Sequence, residues 1–222
     1  MKKNYFSVCE ILIWCLSVVF IILSFAIFDR QNYLTLMASL IGATSLILNA
    51  KGNVAGQILT VLFSIIYACI SFKSAYYGEM ITYLGMTAPI ALVSAVTWFR
   101  NPFEKGKAEV KINYLSKKEY LFLIFLGIAV ITVFYFILSA FNTSQIFLST
   151  LSVLTSFVAS YLTMRRSEYY AVGYALNDIV LILLWIIAGS PSAIVCFIVF
   201  LVNDVYGFLS WKSMKKRQIT VK

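Results

Sequence analysis

Asp178 and Asp204 each interrupt a long apolar run, and each follows an asparagine, Asn177 and Asn203. A charged side chain at the centre of a membrane helix costs about 2.5–3.5 kcal/mol on insertion scales, so it is kept for a reason. No lysine or arginine lies at comparable depth along the sequence. The two acids are therefore protonated, face a water-filled cavity, or cap a break in a helix. Helical spacing puts Tyr170, Tyr174, Asn177, Leu181 and Trp185 near one face. An amide or carboxylate flanked by aromatics suits a flat, polar, heteroaromatic ligand, because the rings stack on it and the amide reads its edge. The first half of the chain offers a sparser counterpart in Gln57, Thr60, Ser64 and Tyr67, at steps of three or four. The candidate binding residues are thus Tyr174, Asn177, Asp178, Trp185, Asn203, Gln57, Tyr67 and Ser64. Asn177 and Asn203 also suit a second role, as hydrogen-bonding glue between helices.

Other chemistries are narrowed by what is missing. The chain has no histidine, which removes the commonest general base and the commonest metal ligand. Cys9, Cys15, Cys69 and Cys196 fall in or beside apolar runs without CxxC spacing, so neither a disulfide framework nor a zinc site is expected. They read as small apolar packers. No cofactor is implied. The remaining enzymatic reading is a membrane-embedded enzyme acting on a lipid or quinone through Asp178 and Asp204 as a carboxylate pair. That reading needs the acids at the interface, whereas a transporter needs them inside a closed cavity. A scaffold without a ligand is a third reading.

The elements that must hold these residues are membrane helices. The chain of 222 residues is 61% hydrophobic and 12% charged, with a mean hydropathy of +0.89; soluble domains are about 45–50% apolar and about 25% charged. Apolar runs occur at 10–28, 33–50, 53–72, 79–98, 119–139, 145–164, 169–188 and 192–211. Each is long enough to cross about 30 Å of hydrocarbon as a helix. The first run is longer than a signal-peptide core and lacks a cleavage site, so it is read as a retained span. The net charge of +9 sorts by side. With the N-terminus inside, 16 basic residues fall on inside segments and only Arg30 and Lys73 fall outside. That bias sets the orientation, puts both ends in the cytoplasm, and argues against nucleic acid as the reason for the charge.

Two blocks of three spans, 33–100 and 145–212, repeat the same plan. Each has a basic link after its first span, Lys51 in one and Arg165-Arg166 in the other. Each closes on an aromatic-basic signature, Trp98-Phe99-Arg100 and Trp211-Lys212. One span between the blocks gives them the same orientation, so the repeat is parallel. The expected architecture is all-α, 1+3+1+3: an extra helix (1–32), a first repeat (33–100), a basic cytoplasmic loop with a linker helix (101–144), a second repeat (145–212) and a basic tail (213–222). Trp98 and Trp211, at span ends, read as interfacial belt residues. Gly52 and Gly56 read as close helix packing, Pro89 as a kink, and Glu79 as a carboxylate favoured by a helix start.

In this frame the chain resembles the PnuC nicotinamide riboside transporter family, relatives of the SWEET and SemiSWEET sugar transporters. The likeness is carried by Lys51-Gly52-Asn53, Gly56, Tyr67-Ala68, Phe72 and Ala75-Tyr76-Tyr77-Gly78-Glu79 in the first half. In the second half it rests on Glu168, the aromatics leading to Asp178, then Asn203, Tyr206-Gly207 and Trp211-Lys212. It spans about 45 to 215. The resemblance implies a bacterial inner-membrane facilitator for nicotinamide riboside or a related vitamin or nucleoside. It further implies a homotrimer and a cytoplasmic kinase that traps the arriving substrate. Two departures fall on the ligand-reading surface. Tyr170 and Tyr174 stand where the family usually has tryptophans, and Pro89 is followed by Ile90 and Ala91 rather than by a glutamine two places on. Thiamine, riboflavin and deoxynucleosides, carried by relatives, are the alternative substrates.

Overall fold

A computed structural model describes residues 5–104 and 106–220. Lys2, Lys3, Lys105 and Lys222, four of the basic residues used for the orientation, lie outside the described residues. Among the described residues, eight helical spans are long and apolar enough to cross a bilayer. They are α1 (Val8–Phe28), α2 (Tyr33–Ala50), α3 (Val54–Lys73), the continuous α4 (Tyr77–Thr82) and α5 (Ala88–Arg100), α6 (Lys117–Ala140), α7 (Ile146–Met164), α8 (Tyr170–Ile187) and α9 (Pro191–Thr220). Local chemistry sets the starts. Ser7 and Glu10 form a reciprocal capping box on α1. Asn32, Asn53 and Ser116 accept hydrogen bonds from the first-turn amides of α2, α3 and α6. The last helix does not stop where the sequence turns basic; α9 continues through that segment to Thr220.

The repeat is visible in the turns. Gly52 (φ 64°) and Arg166 (φ 57°) hold the equivalent left-handed position between the first and second helices of each half. Ala75 (φ 57°) and Gly189 (φ 67°) do so between the second and third. Each pair is 114 residues apart, yet Trp98 and Trp211 are 113 apart. The missing residue is found in the first half, where Tyr83–Thr87 form one π-turn between α4 and α5. A π-turn holds one residue more than an α-turn. Pro89 follows it directly. Proline has no N–H and clashes with the carbonyl four residues back, so a widened turn just before it relieves both problems.

Lipid gives little hydrophobic drive between helices, so close packing must hold the bundle. Gly173 brings α8 against α7: a Cβ there would lie 2.8 Å from the Cα of Ala159. Gly56 brings α3 onto Asn49 of α2 in the same way. Gly52, its partner in the GxxxG spacing, belongs to the turn and not to the packed face. Cys196 is buried, whereas Cys9, Cys15 and Cys69 face outward and pack little. Two aromatic layers fill the interior. One contains Trp98, Tyr170 and Trp211. The other contains Phe63, Tyr67, Tyr76, Tyr83, Trp185, Phe197 and Phe200.

The first layer lies at the end of the bundle that carries Lys51, Arg100, Arg165, Arg166 and Lys212, here termed the basic end. Trp98 and Trp211 are not belt residues. They are 1% and 0% exposed, and their indoles, 5.4 Å apart, tie the halves together reciprocally. Trp98, on the third helix of the first half, donates to the carbonyl of Thr163 on the first helix of the second (2.9 Å). Trp211, on the third helix of the second half, donates to the carbonyl of Asn49 on the first helix of the first (2.8 Å). The loop 101–116 closes over this end. Its Val110 amide donates to the Gly52 carbonyl and its Asn113 amide to the Arg166 carbonyl. One short segment therefore holds the equivalent turns of both halves, and Gln218 of α9 grips it through the Ile112 amide (2.9 Å) and the Val110 carbonyl (3.0 Å).

Candidate functional site

Between the two aromatic layers lies a cavity of about 50 Å³ shared by both halves. The first half lines it with Gly42, Ser45, Leu46 and Asn49 of α2, Thr60 and Phe63 of α3, and Tyr83 and Thr87 of the π-turn. The second half supplies Tyr174, Asn177 and Asp178 of α8 and Phe197, Phe200 and Asp204 of α9. The chemistry is divided. The first half offers hydroxyls and an amide, while both carboxylates come from the second. Asp178 and Asp204 are 4% and 3% exposed and lie in direct electrostatic contact. Oδ2 of Asp178 has no hydrogen-bond partner, and no lysine or arginine lines the cavity among the described residues. Two carboxylates this close in a site without basic residues share a proton or hold a cation between them.

The amides are held by their own networks. Asn177 accepts from Thr155 (2.8 Å) and Ser152 (3.2 Å) on α7. Those bonds take its carbonyl oxygen and leave its NH2 group for the cavity. Asn49 accepts from Gln57 (2.8 Å) and donates to Ser45 and Thr60 (both 3.3 Å). The Ser45 and Thr60 hydroxyls meet at 2.8 Å.

Of the residues singled out from the sequence, Thr60, Tyr174, Asn177, Asp178 and Asp204 line the cavity. Gln57 does not; it acts on the cavity through Asn49. Ser64 turns back onto its own helix, donating to the Thr60 carbonyl (2.8 Å). Tyr67 and Trp185 sit above the cavity and bond to each other, the indole N–H donating to the phenol oxygen at 2.8 Å. Asn203 faces away from the cavity, donating to Ser17 of α1 (2.9 Å) and to the Val199 carbonyl (2.8 Å). Tyr170 is buried against Trp211, with ring centroids 4.7 Å apart. Four polar lining residues, Ser45, Asn49, Tyr83 and Thr87, escape the spacing argument, as do the apolar ones. Ser45 and Asn49 carry a usable signal, since they stand four apart on one face of α2. Tyr83 and Thr87 carry none, because the π-turn changes the period that would reveal them.

Two parallel three-helix halves closing on a polar cavity at mid-depth define a membrane transporter. Residues 32–213 match the family described as nicotinamide mononucleotide transporter. The chain belongs to that family. It is 25% identical over 202 residues to the nicotinamide riboside transporter PnuC of Neisseria mucosa, a match covering 86% of this chain and 76% of that protein. It is likewise 25% identical over 189 residues to the nicotinamide riboside transporter PnuC of Haemophilus influenzae, covering 84% and 82%. A crystal structure of the vitamin B3 transporter PnuC shares the fold. The TM-score is 0.85 at 21% identity, and the match covers 96% of this chain and 94% of that one.

Proposed function

We propose that the protein carries nicotinamide riboside through the central cavity by facilitated diffusion, with the basic end in the cytoplasm. The observation that carries this reading is the opposed pair Asp178 and Asp204 in a cavity without a basic residue. Nicotinamide riboside is a permanent pyridinium cation with a carboxamide and a hydroxylated sugar. The carboxylates answer the ring charge, Tyr174 and Phe197 offer faces for stacking, and Asn49, Thr60 and Asn177 supply groups for the amide and sugar. Adding a phosphate brings a further charge of about −1.5 to −2 against the same carboxylates. The cavity therefore favours the riboside over the mononucleotide. That preference also makes intracellular phosphorylation by a kinase an effective trap, since the product is repelled from the return path.

Pockets that hold whole small molecules are about 300–1,000 Å³, far larger than the 50 Å³ found here. The halves are shut around the site and rock apart to admit ligand. Burial of both acids at mid-depth, rather than at a head-group interface, supports transport over lipid chemistry. The assembly is proposed to be a homotrimer, which light scattering in detergent checks directly. Thiamine is the second reading, favoured because it is also a heteroaromatic cation; neutral riboflavin and deoxynucleosides make poorer use of the carboxylates.

The test is uptake into proteoliposomes. Saturable entry of nicotinamide riboside that levels off at equal concentrations inside and out is expected, with the mononucleotide excluded. In the Asp178→Asn variant, uptake at low concentration falls about tenfold, the loss of one cation contact worth about 1.4 kcal/mol. Absence of flux with both nicotinamide riboside and thiamine refutes the reading. Accumulation of unmodified ligand above equilibrium refutes facilitated diffusion.

A further inference from the structure

We propose that Glu79, with Tyr67, Tyr76, Tyr83 and Trp185, forms a subsite for the positive charge of an N-substituted heteroaromatic cation on the far side of the cavity. This inference rests on the transport reading above. It assigns a role to a charge that reading leaves unused.

Glu79 sits in the first turn of α4, at the end of the bundle opposite the basic loops. A carboxylate there is ordinarily exposed and helped by the helix dipole. This one is 0% exposed, and neither of its oxygens accepts a hydrogen bond. The ion pairs among the described residues use Glu10, Glu104, Glu109, Glu119 and Glu168, all toward the basic end. Removing an ion from water without a partner costs several kcal/mol, so packing alone does not account for Glu79.

Its surroundings point to a ligand. The hydroxyls of Tyr67, Tyr76 and Tyr83 lie within electrostatic reach of the carboxylate. The rings meet edge to face: Tyr67 and Tyr83 at 4.5 Å, Tyr76 and Trp185 at 5.5 Å. Ring faces attract cations, more so when water is excluded. A carboxylate set among such faces suits a fixed positive charge on a flat ring. The subsite also shares a wall with the central cavity. Tyr83, one turn deeper than Glu79, belongs to both. Ser152, a neighbour of Glu79, spends its hydroxyl on Asn177 in the cavity. A ligand coming from the far side meets Glu79 first, then Asp178 and Asp204 deeper in. Each step has a carboxylate at hand, and no lysine or arginine lines the central cavity among the described residues.

The test compares nicotinamide riboside with its neutral 1,4-dihydro form, which keeps the sugar and the carboxamide. Uptake of both is measured in the same proteoliposomes, so the ratio cancels the amount of active protein. For Glu79→Gln the ratio of cation to neutral uptake at low concentration is expected to fall about tenfold from wild type. A ratio within about twofold of wild type overturns the subsite. If Glu79→Gln does not fold, Tyr76→Leu decides instead, because it removes one ring and Tyr76 does not itself line the cavity. There the ratio is expected to fall about threefold, and an unchanged ratio overturns the proposal. A wild-type protein that moves thiamine but not nicotinamide riboside, with thiamine uptake still dependent on Glu79, refutes the proposed substrate and supports the subsite. Wild-type protein inert toward all three refutes both.

Discussion

Gly173→Ala tests whether the site depends on how closely α7 and α8 approach. The new Cβ would lie 2.8 Å from Ala159 Cα, 3.0 Å from its Cβ and 3.1 Å from its amide nitrogen. All three neighbours belong to backbone or to a side chain with no rotamer to change. Ordinary contact begins at 3.4 Å, so the helices must separate by about 0.6 Å at that point. Overpacking of this kind costs about 1–3 kcal/mol. Alanine regains about 0.8–1.0 kcal/mol in helix propensity, so the net loss is about 0–2 kcal/mol and the helix itself survives. The effect on the site is larger. Asn177 lies one turn further along α8 and hangs from α7 by its bonds to Thr155 and Ser152. The 3.2 Å bond cannot stretch by about 0.6 Å and remain a hydrogen bond. Freed, the amide turns and loses its orientation toward the cavity. The expected result is a detergent melting temperature lowered by only a few degrees, with apparent ligand affinity reduced about tenfold, as for one lost polar contact of about 1.4 kcal/mol. Isothermal titration calorimetry and differential scanning fluorimetry measure the two. Unchanged affinity together with unchanged stability would refute the close-approach argument. A protein that fails to fold would show that the packing, and not the site, sets the limit.

Gln57→Leu removes the amide that holds Asn49 without touching the cavity wall. It is expected to weaken ligand binding about three- to tenfold, by about 0.5–1.5 kcal/mol, with a much smaller effect in an Asn49→Ala background; equal effects in both backgrounds would rule out the coupling. Trp98→Phe and Trp211→Phe each delete one reciprocal tie. The Thr163 and Asn49 carbonyls keep other donors, the Arg166 and Gly52 amides, so each hydrogen bond accounts for about 0.5–1.5 kcal/mol, measured as a lower unfolding midpoint. Gln218→Ala removes the amide grip of α9 on loop 101–116 and leaves the Ile112 amide unpaired, with the Arg217–Glu109 ion pair as a remaining tie. Faster proteolysis within 101–116, with little change in the thermal midpoint of the bundle, is the expected outcome, and protection equal to wild type would contradict it.

The spans were legible because a membrane helix writes its length into the sequence as an apolar run. Their ends shifted by only a few residues, except α9, whose basic residues suggested a tail where a helix continues. The repeat was legible from Trp98 and Trp211 and from the basic links, but the purpose of those tryptophans was not. An indole at a span end gives the same sequence signal whether it meets a head group or a carbonyl in the other half. The central residues of α8 stood out because Asn177 and Asp178 are polar in an apolar run. Asn203 carries the identical signal and faces α1 instead, since only three-dimensional packing shows that Ser17 is waiting for it. Glu79 was misjudged for a related reason: position along a helix locates a carboxylate at a helix start but cannot say that the bundle has closed over it.

The single added residue in the π-turn outlasts its local geometry. Up to Thr82, adding 114 to a position in the first half finds its twin in the second; from Ala88 onward the correct increment is 113. An error of one residue on a helix is a rotation of about 100°. Mutations transplanted between α5 and α9 by the earlier increment would therefore land on the wrong face, turning a cavity change into a lipid-facing one. Any attempt to rebuild the molecule as two identical halves must delete that residue first, and with it the widened turn that carries Tyr83 and Thr87 to the chamber.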